Sequence, residues 1–346
     1  MIKQITGTHT LKEIQSQPET WGETVKSLNL NWRGKTPDFN KYDHVIFTGC
    51  GSTYYLSIWA SRLFQKKLII SSSALPASEL WYATRDWTAP YKKPLLIAVS
   101  RSGETTETIK AVEKFKQNRE GDVICVTCYP ESRLSKAADL SVTTPAGKES
   151  SIAQTRSFTN MMCAILFLID GEVPEQVIKN YEKISREYFD RYQQKAKEIG
   201  RDSSFTRFFF LGDGPLYGLA NEAMLKQKEM SLSYAEAYHF MEFRHGPMSM
   251  IDPQSVVISL FNSWATTFEL AVAKDMKKLK STVIGIGNLE QEDENLDTLF
   301  KLPNLIPADW LYPLYLPVLQ LIAYERSIAK GLDPDKPNNL SAVIEL

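Results

Sequence analysis

The stretch Leu95–Thr108, LLIAVSRSGETTET, decides the fold class of this chain. Its apolar part ends at Ser100 and a helix-forming sequence begins a few residues later, which predicts a buried strand that enters a helix through a polar turn. The turn holds hydroxyl side chains and one glycine, namely Ser100, Ser102, Gly103, Thr105 and Thr106. Such a turn presents backbone N–H groups and the positive end of the helix dipole, which suit a phosphate. The alternative is that Ser102 simply caps the helix, with Thr105 in its first turn.

The composition is that of an ordinary soluble globular protein, and the 346 residues suffice for two domains. The formal net charge of -1 predicts neither a nucleic-acid-binding surface nor an acidic tail. The N-terminus lacks a signal-peptide pattern, and the longest apolar run, residues 161–169, is too short to span a bilayer. We therefore expect a cytoplasmic protein with neither a membrane nor a nucleic-acid partner.

The cysteines Cys50, Cys125, Cys128 and Cys163 show no spacing typical of a disulfide framework. Cys125 and Cys128 form a C-x-x-C pattern, but it lies within VICVTCY, which is typical of a β-strand. Residues three apart in a strand point to opposite faces, so this pair is not suited to share a metal or a disulfide. We interpret the C-x-x-C pair as structural.

Strands and helices alternate along the first half of the chain. Strands are predicted at residues 44–48, 68–71, 95–99, 122–127 and 140–144, and helices at 10–28, 54–67, 77–83, 104–116, 132–138 and 158–169. This alternation predicts a parallel sheet covered on both faces. Ligands on such sheets bind at the carboxyl ends of the strands, and two polar turns, residues 49–53 and 100–105, fall there.

The same pattern restarts after a long amphipathic helix that begins near Pro174. At an offset of about 163 residues, residues of the first repeat match identical or similar residues of the second. The first set is Phe47, Gly49, Gly51, Tyr54, Leu56 and Ala60, and the second is Phe210, Gly212, Gly214, Tyr217, Leu219 and Ala223. Further strands are predicted at 255–260 and 281–286. Residues 261–266, FNSWAT, replace the Ser-rich turn in the second copy, so that turn is special to the first copy, as a site would be.

We therefore predict an α/β protein with two parallel-sheet domains in tandem. The predicted parts are an N-terminal helical segment (1–40), a first domain with the phosphate site (41–172), a connecting helix (173–202), a second domain (203–330) and a C-terminal tail (331–346) that closes the site.

Three acidic and basic residues follow the second glycine-rich turn at helical spacing: Glu222, Lys226 and Glu229. One interpretation is a solvated salt-bridge face, and the other is a proton shuttle near the carboxyl edge of the sheet. The motif Gly49-Cys-Gly51 lacks the third glycine of a dinucleotide fingerprint, because Tyr54 stands there, so a nucleotide-dependent dehydrogenase is disfavoured.

The histidines are His9, His44, His239 and His245, and their spacing predicts no metal site. His245 precedes Gly-Pro, which places it in a turn or at a helix end, exposed in a cleft rather than packed. With an ordinary pKa near 6.5, an imidazole is a natural acid or base at neutral pH.

Six motifs occur together in one order: GCGST at 49–53, SRSGET at 100–105, ESSIAQTR at 149–156, KQKE at 226–229, the stretch from Glu236-Ala-Tyr to Arg244-His-Gly-Pro247, and DPDKPNNL at 333–340. On these motifs the chain resembles the sugar isomerase (SIS) domain family. Within it, the chain resembles the tandem-SIS isomerase half of the glutamine–fructose-6-phosphate aminotransferases, the glucosamine-6-phosphate synthases. The resemblance covers nearly the whole chain and implies two SIS-type α/β sandwich domains.

The resemblance also implies a role for each motif. It implies that the phosphate of a sugar is held by Ser100, Arg101, Ser102 and Thr105. It implies that the sugar is lined by Gly51, Ser52, Thr53, Ile152 and Ala153, with Ser341 from the tail. Glu229 would move a proton between C1 and C2 with Lys226 nearby, and His245 would open the sugar ring from the neighbouring subunit of a homodimer. This chemistry requires no metal or redox cofactor.

Two departures from that family shape the expected activity. This sequence begins about 40 residues before the first SIS strand, so we expect it not to release ammonia from glutamine by itself. The tail lysine that forms an imine in the synthases is replaced by Ala342. We therefore expect a glutamine-independent isomerase or deaminase of a hexosamine 6-phosphate. The alternatives are a fructosamine-6-phosphate deglycase, a ketose/aldose-phosphate isomerase and a non-catalytic sugar-phosphate sensor.

Overall fold

The computed structural model describes residues 6–118, 121–289 and 293–341. Contacts divide the chain into two compact units. The first-repeat unit contains residues 16–149, 156–182 and 341, and the second-repeat unit contains residues 6–15, 150–155 and 183–340. This division differs from the predicted boundaries, because the first helix and the short segment 150–155 pack with the second repeat.

Helix α1 (Thr8–Gln15) is the first element of the described chain and belongs to the second-repeat unit. The elements of the first-repeat unit follow in chain order: α2 (Gln17–Trp32), β1 (His44–Gly49), α3 (Ser52–Leu68), β2 (Ser72–Pro76), α4 (Ala77–Tyr82), α5 (Thr84–Thr88), β3 (Pro94–Val99), α6 (Thr106–Gln117), β4 (Val123–Thr127), α7 (Arg133–Ala137), β5 (Leu140–Thr143) and α8 (Arg156–Asp170). Among the described residues of this unit, five parallel strands form one sheet in the order β2-β1-β3-β4-β5.

The second repeat follows helix α9 (Glu175–Arg201), within which the division between the units falls. Its elements are β6 (Arg207–Gly212), α10 (Pro215–Ser231), β7 (Tyr234–Tyr238), α11 (Phe240–Phe243), β8 (Ser255–Leu260), α12 (Thr266–Lys278), β9 (Thr282–Gly287), β10 (Thr298–Lys301) and α13 (Tyr315–Ala329). In the described part of this unit, five parallel strands run in the order β7-β6-β8-β9-β10, the same topology as in the first repeat.

The central strands are buried along their whole length. Every residue of β1, β3, β4 and β8 is buried, which explains why the sequence shows continuous apolar runs there instead of alternation. On one face of the first sheet, Ile46, Leu96 and Val123 pack against Val112 and Phe115 of α6.

The two repeats also have the same backbone conformation at the ends of corresponding helices. Gly51 precedes α3 with φ 55° and ψ -123°, and Gly214 precedes α10 with φ 56° and ψ -128°. The two helices also end alike, at the left-handed residues Ile69 and Leu232. The predicted tandem α/β architecture is confirmed.

One predicted strand is wrong. The apolar run at 68–71 does not form a strand, because Leu68 is the last residue of α3 and Ile69 is its left-handed cap. Strand β2 begins at Ser72, in a segment whose serines gave no apolar signal. The predicted helix at 10–28 is two helices, α1 and α2, and α2 extends to Trp32. Within the described ranges, no helix combines the length and apolar character needed to cross a membrane.

Candidate active site

The turn between β3 and α6 is closed by its own hydroxyl groups. The Oγ of Ser100 accepts a hydrogen bond from the N–H of Gly103 at 3.0 Å and lies 3.3 Å from Oγ1 of Thr105. The Oγ of Ser102 accepts from the N–H of Glu104 at 3.1 Å. Helix α6 starts at Thr106, and its N-cap residue Thr105 makes no side-chain cap hydrogen bond. The alternative in which Ser102 caps this helix is therefore wrong.

Gly103 is required by both conformation and space. Its φ of 68° lies in the left-handed region, and a Cβ built there would lie 2.1 Å from Oγ of Ser132. The carbonyl of Gly103 also accepts from the N–H of Leu134 at 3.0 Å. Helix α7 therefore fixes the turn at Gly103, three residues before α6 begins.

A second glycine turn lies at the neighbouring strand end. Strands β1 and β3 are adjacent, but the chain continues from β1 to β2 on one side and from β3 to β4 on the other. The carboxyl ends of β1 and β3 therefore form a topological switch point, where ligands bind in such sheets. Thr53 closes this turn by accepting from the N–H of Cys50 and donating to the carbonyl of Cys50, both at 2.9 Å. The Sγ of Cys50 lies 3.6 Å from Oγ1 of Thr108 in α6. The predicted residues Gly51, Ser52, Thr53, Ser100, Ser102 and Thr105 thus lie on two adjacent turns of one sheet edge.

Arg101 is held by a carboxylate that sequence reasoning missed. Its guanidinium lies 3.6 Å from Glu149, and both side chains are almost completely buried. Glu149 also accepts hydrogen bonds from the N–H and the hydroxyl of Ser157 at the start of α8. Glu149 was visible in the sequence as the first residue of the ESSIAQTR segment, but its partner was not, because the two residues are 48 positions apart in the chain.

The second repeat fills the equivalent turn with its own carboxyl group. Glu269 of α12 is fully buried and accepts from the backbone N–H of Asn262 at 2.8 Å and from its side-chain amide at 3.1 Å. Burial raises the pKa of Glu269 to about 7, and Asp213 contributes to the rise, although the bonds from Asn262 lower it. Glu269 is the fourth residue of α12, and the fourth residue of α6 is the apolar Ile109. The two helices therefore differ at this position, where α12 has a buried carboxyl group and α6 has an apolar side chain.

The three charged residues of α10 form a buried cluster. The Nζ of Lys226 lies 2.5 Å from Oε2 of Glu229 and 3.3 Å from Oε1 of Glu222. Lys226 and Glu222 are fully buried, while the side chain of Glu229 is 18% exposed. The interpretation as a solvated salt-bridge face is wrong, because water reaches only the Glu229 end of the cluster.

Electrostatics keep Lys226 charged in this environment. Burial alone would lower its pKa, but the two neighbouring carboxylates outweigh burial and raise the pKa above its ordinary value. A protonated Lys226 donates to Glu229 and holds that carboxylate in one orientation. Glu229 is therefore an oriented carboxylate with one side open, which is the arrangement a proton-transferring base requires.

The two histidines near the HGP motif have different surroundings. His245 lies exposed in the turn after α11, as predicted, followed by Gly246 at φ 128°. His239 caps α11, and its Nδ1 lies 3.0 Å from Asp213. The ring of His239 also stacks on Tyr217 at a centroid distance of 3.9 Å. The His239–Asp213 pair was not predicted, and only the shared sheet edge brings the two residues together.

The remaining predicted residues lie in a short segment and at the end of the tail. Ala153 is buried and Ile152 is half-buried, and both belong to the 150–155 segment of the second-repeat unit. Ser341 is the last described residue and is exposed. Ala342, predicted to stand where the synthases have a lysine, lies outside the described residues.

The cysteines are all free thiols. Burial raises the pKa of Cys125 and of Cys128 to about 12, and that of Cys50 to about 11. Within the described part of the chain, no group of three or more histidine, cysteine, aspartate or glutamate side chains is arranged to hold a metal ion.

Two parallel sheets of one topology, with polar turns at their carboxyl edges, define a tandem α/β class of protein. The SIS domain model matches the chain over residues 38–170 and again over 203–296, and the chain belongs to the SIS domain family. It is 29% identical over 341 residues to the glutamine–fructose-6-phosphate aminotransferase (isomerizing) of Sulfurisphaera tokodaii. That match covers 96% of this chain and 56% of the relative, so the chain spans little more than half the length of such relatives.

Solved structures give two further similarities. The glucosamine-6-phosphate deaminase of Thermotoga maritima is 28% identical, with a TM-score of 0.80, and the match covers 97% of this chain and all of that chain. The tagatose-6-phosphate ketose/aldose isomerase of Escherichia coli has a TM-score of 0.82, with 96% of both chains covered. At 22% identity, the second likeness concerns the fold.

Proposed function

We propose that this chain is a deaminase or isomerase of a hexosamine 6-phosphate. The observation that carries the proposal is the buried Glu222–Lys226–Glu229 cluster, whose Glu229 end is open to solvent. The membership in the SIS family and the similarity to a glucosamine-6-phosphate deaminase support the choice of substrate class.

The proposed reaction begins on the open-chain form of glucosamine 6-phosphate. The Glu229 carboxylate removes the proton from C2 while O1 gains a proton, which leaves an enolamine between C1 and C2. The same carboxyl group then returns its proton to C1 while the amine nitrogen loses one, so the net change is one proton from C2 to C1 and one from nitrogen to O1. The resulting imine at C2 adds water and releases ammonia, which leaves fructose 6-phosphate. One water is consumed and one ammonia is released, and electrons are only rearranged between C1 and C2.

Lys226 has two tasks in this scheme. It holds Glu229 by the 2.5 Å contact, and its positive charge offsets the negative charge of that carboxylate in the cluster. Glu222 stabilises the buried charge of Lys226 from the other side, at 3.3 Å. Glu222 is thus a positioning residue for the proton transfer.

The phosphate of the substrate is assigned to the turn of Ser100, Ser102 and Thr105. Its hydroxyl groups lie at a strand-to-helix junction whose N-cap residue makes no side-chain hydrogen bond to the first turn of the helix, and positive helix dipole ends attract phosphate. Arg101 adds positive charge behind the turn, and Glu149 balances it. Gly51, Ser52 and Thr53, with Ile152, Ala153 and Ser341, are proposed to contact the sugar.

His245 is proposed to open the sugar ring in the active site of a neighbouring subunit. Its exposed position in a turn supports this role, because an exposed imidazole is available to a second chain. Mixing two inactive dimers, one with Glu229→Gln and one with His245→Ala, tests the role. In each heterodimer, one site combines an intact Glu229 with an intact His245, so up to about one quarter of the activity returns. No recovery after confirmed subunit exchange contradicts a shared site.

The enzyme assay uses a panel of glucosamine, galactosamine, fructosamine and tagatose 6-phosphates, with ammonia and ketose phosphate as readouts. Glu229→Gln is expected to lower kcat by about 10²–10⁴-fold while binding persists. Lys228→Gln, at an exposed position on the same helix, is the matched control and is expected to keep full activity. If the wild-type protein turns over none of these substrates, the enzyme proposal is wrong.

A sugar-phosphate sensor is the alternative from another functional class. A sensor would bind the same ligands without turnover, and Glu229→Gln would leave its ligand response intact. Loss of turnover with retained binding in the variant therefore separates an enzyme from a sensor.

A further inference from the structure

The segment 150–155 is tied to helix α1 by a buried carboxylate. Glu13 is 3% exposed, and it accepts hydrogen bonds from the N–H of Ser150 at 2.5 Å and from the N–H of Ser151 at 3.3 Å. The hydroxyl of Ser151 also donates to Glu13. The same hydroxyl lies 3.1 Å from the carbonyl of Ala153. One carboxylate therefore sets the backbone of the first two residues of the segment.

Helix α1 is itself anchored by the C-terminal turn. Asp335 accepts from the N–H and the hydroxyl of Thr10, each at 2.7 Å, and from the N–H of His9 at 3.1 Å. Asp333 accepts from the N–H of Gly7 at 3.1 Å. These carboxylates satisfy N–H groups of the first turn of the helix, which has no earlier turn to bond with. The position of Glu13 therefore depends on residues more than 300 positions away.

The later part of the segment is fixed by the same part of the chain. The N–H of Ile152 donates to the carbonyl of Asp335 at 3.2 Å. The amide of Gln320 in α13 donates to the carbonyl of Thr155 at 3.4 Å. Both anchors belong to the second-repeat unit, as Glu13 does.

We infer that Glu13 is a positioning residue that shapes the 150–155 segment so that Ile152 and Ala153 can contact the sugar. The inference rests on the proposed function, which assigns those two residues to substrate. Ser150 and Ser151 present N–H and O–H donors to one site, and only a carboxylate accepts from all of them. A glutamine has one acceptor oxygen, so Glu13→Gln places an NH2 group where Oε2 accepts from the hydroxyl and the N–H of Ser151, and it removes the negative charge that strengthens the bonds to both serines.

The first test of this inference needs no substrate. Amide hydrogen exchange of Ser150 and Ser151 is expected to accelerate at least about tenfold in Glu13→Gln, the factor for losing one hydrogen bond to a charged group. Ile14→Ala is the matched control, because it removes a buried side chain next to Glu13 and leaves the carboxylate in place. Equal exchange at these two amides in wild type and Glu13→Gln, compared at equal global stability, overturns the inference.

The second test uses steady-state kinetics. Glu13→Gln is expected to raise KM for the sugar phosphate at least about tenfold and to leave the affinity for inorganic phosphate unchanged, since the phosphate turn does not involve Glu13. Ser151→Ala removes one of the bonds and should raise KM less. An equal rise of KM in Ile14→Ala shows a general loss of stability and overturns the inference. Absence of wild-type turnover instead counts against the proposed function, and the exchange experiment still decides the role of Glu13.

Discussion

The Nζ of Lys226 lies 2.5 Å from Oε2 of Glu229, three residues further along the same helix, in a place where Lys226 itself is fully buried. Surface pairs at this spacing contribute only a few tenths of a kcal/mol, and their geometry varies. A buried pair is different, because neither charge can turn to water without a large desolvation cost. The contact therefore fixes the direction of the Glu229 carboxylate and links the stability of α10 to the proposed chemistry.

Removing the charge of Lys226 is expected to destabilise the protein strongly. Lys226→Met leaves the carboxylate of Glu222 buried without its cation, and breaking such a pair costs about 3–5 kcal/mol. The double variant Glu222→Gln with Lys226→Met removes both buried charges and should recover part of the loss. Free energies of unfolding from denaturant titration measure both effects. If the single and double variants are equally unstable, the interaction between these two residues is not the cause.

Stability is expected to fall as pH rises from about 4.5 to 7 through Glu269. The pKa of this carboxyl group is raised from 4.5 to about 7 in the folded state, mainly by burial. In that interval the unfolded chain has lost the proton while the folded chain still binds it, so raising the pH favours unfolding.

The variant Glu269→Gln isolates this contribution, because an amide does not titrate. The variant is expected to show a flatter dependence of unfolding free energy on pH between 4.5 and 7, with a difference from wild type of up to about 3 kcal/mol. Thermal or urea unfolding at a series of pH values measures it. Parallel curves for the two proteins would show that Glu269 titrates normally.

Gly103→Ala is expected to lose both stability and phosphate binding. The Cβ would lie 2.1 Å from Oγ of Ser132, so the turn must shift, in addition to the strain of φ 68°. Gly34→Ala is the matched control, because Gly34 has φ 74° but has open space where a Cβ would lie. It should lose only about 1 kcal/mol and keep phosphate binding. Phosphate titration followed by calorimetry compares them, and unchanged affinity in Gly103→Ala argues against this turn as the phosphate site.

The thiols are expected to be inert in the folded protein. Burial raises the pKa of Cys50 to about 11 and those of Cys125 and Cys128 to about 12, so the reactive thiolate is scarce at pH 8. Labelling with a disulfide reagent should be slow in buffer and reach four equivalents only in denaturant. Rapid labelling of Cys125 or Cys128 in the native state would show that strand β4 opens readily.

The sequence by itself determined the two α/β repeats and most of their elements. Continuous apolar strands and glycine turns at matching places are local signals, because burial on both faces and a left-handed backbone are requirements of individual residues. Gly51 and Gly214 show this, since their equivalent conformations follow from equivalent glycines. The exception was residues 68–71, where an apolar run ends a helix, since local hydrophobicity does not distinguish a strand from a helix end.

The tertiary structure alone decided which charges are buried and what they contact. Glu222, Lys226 and Glu229 had the spacing of a solvated face, and only the packing of α10 placed them inside. Glu13 and Ser151 are 138 positions apart in the chain, and Arg101 and Glu149 are 48 positions apart, so no local sequence pattern predicts these contacts. Spacing predicts which side chains share a helix face, but desolvation and pairing depend on what the rest of the fold brings to that face.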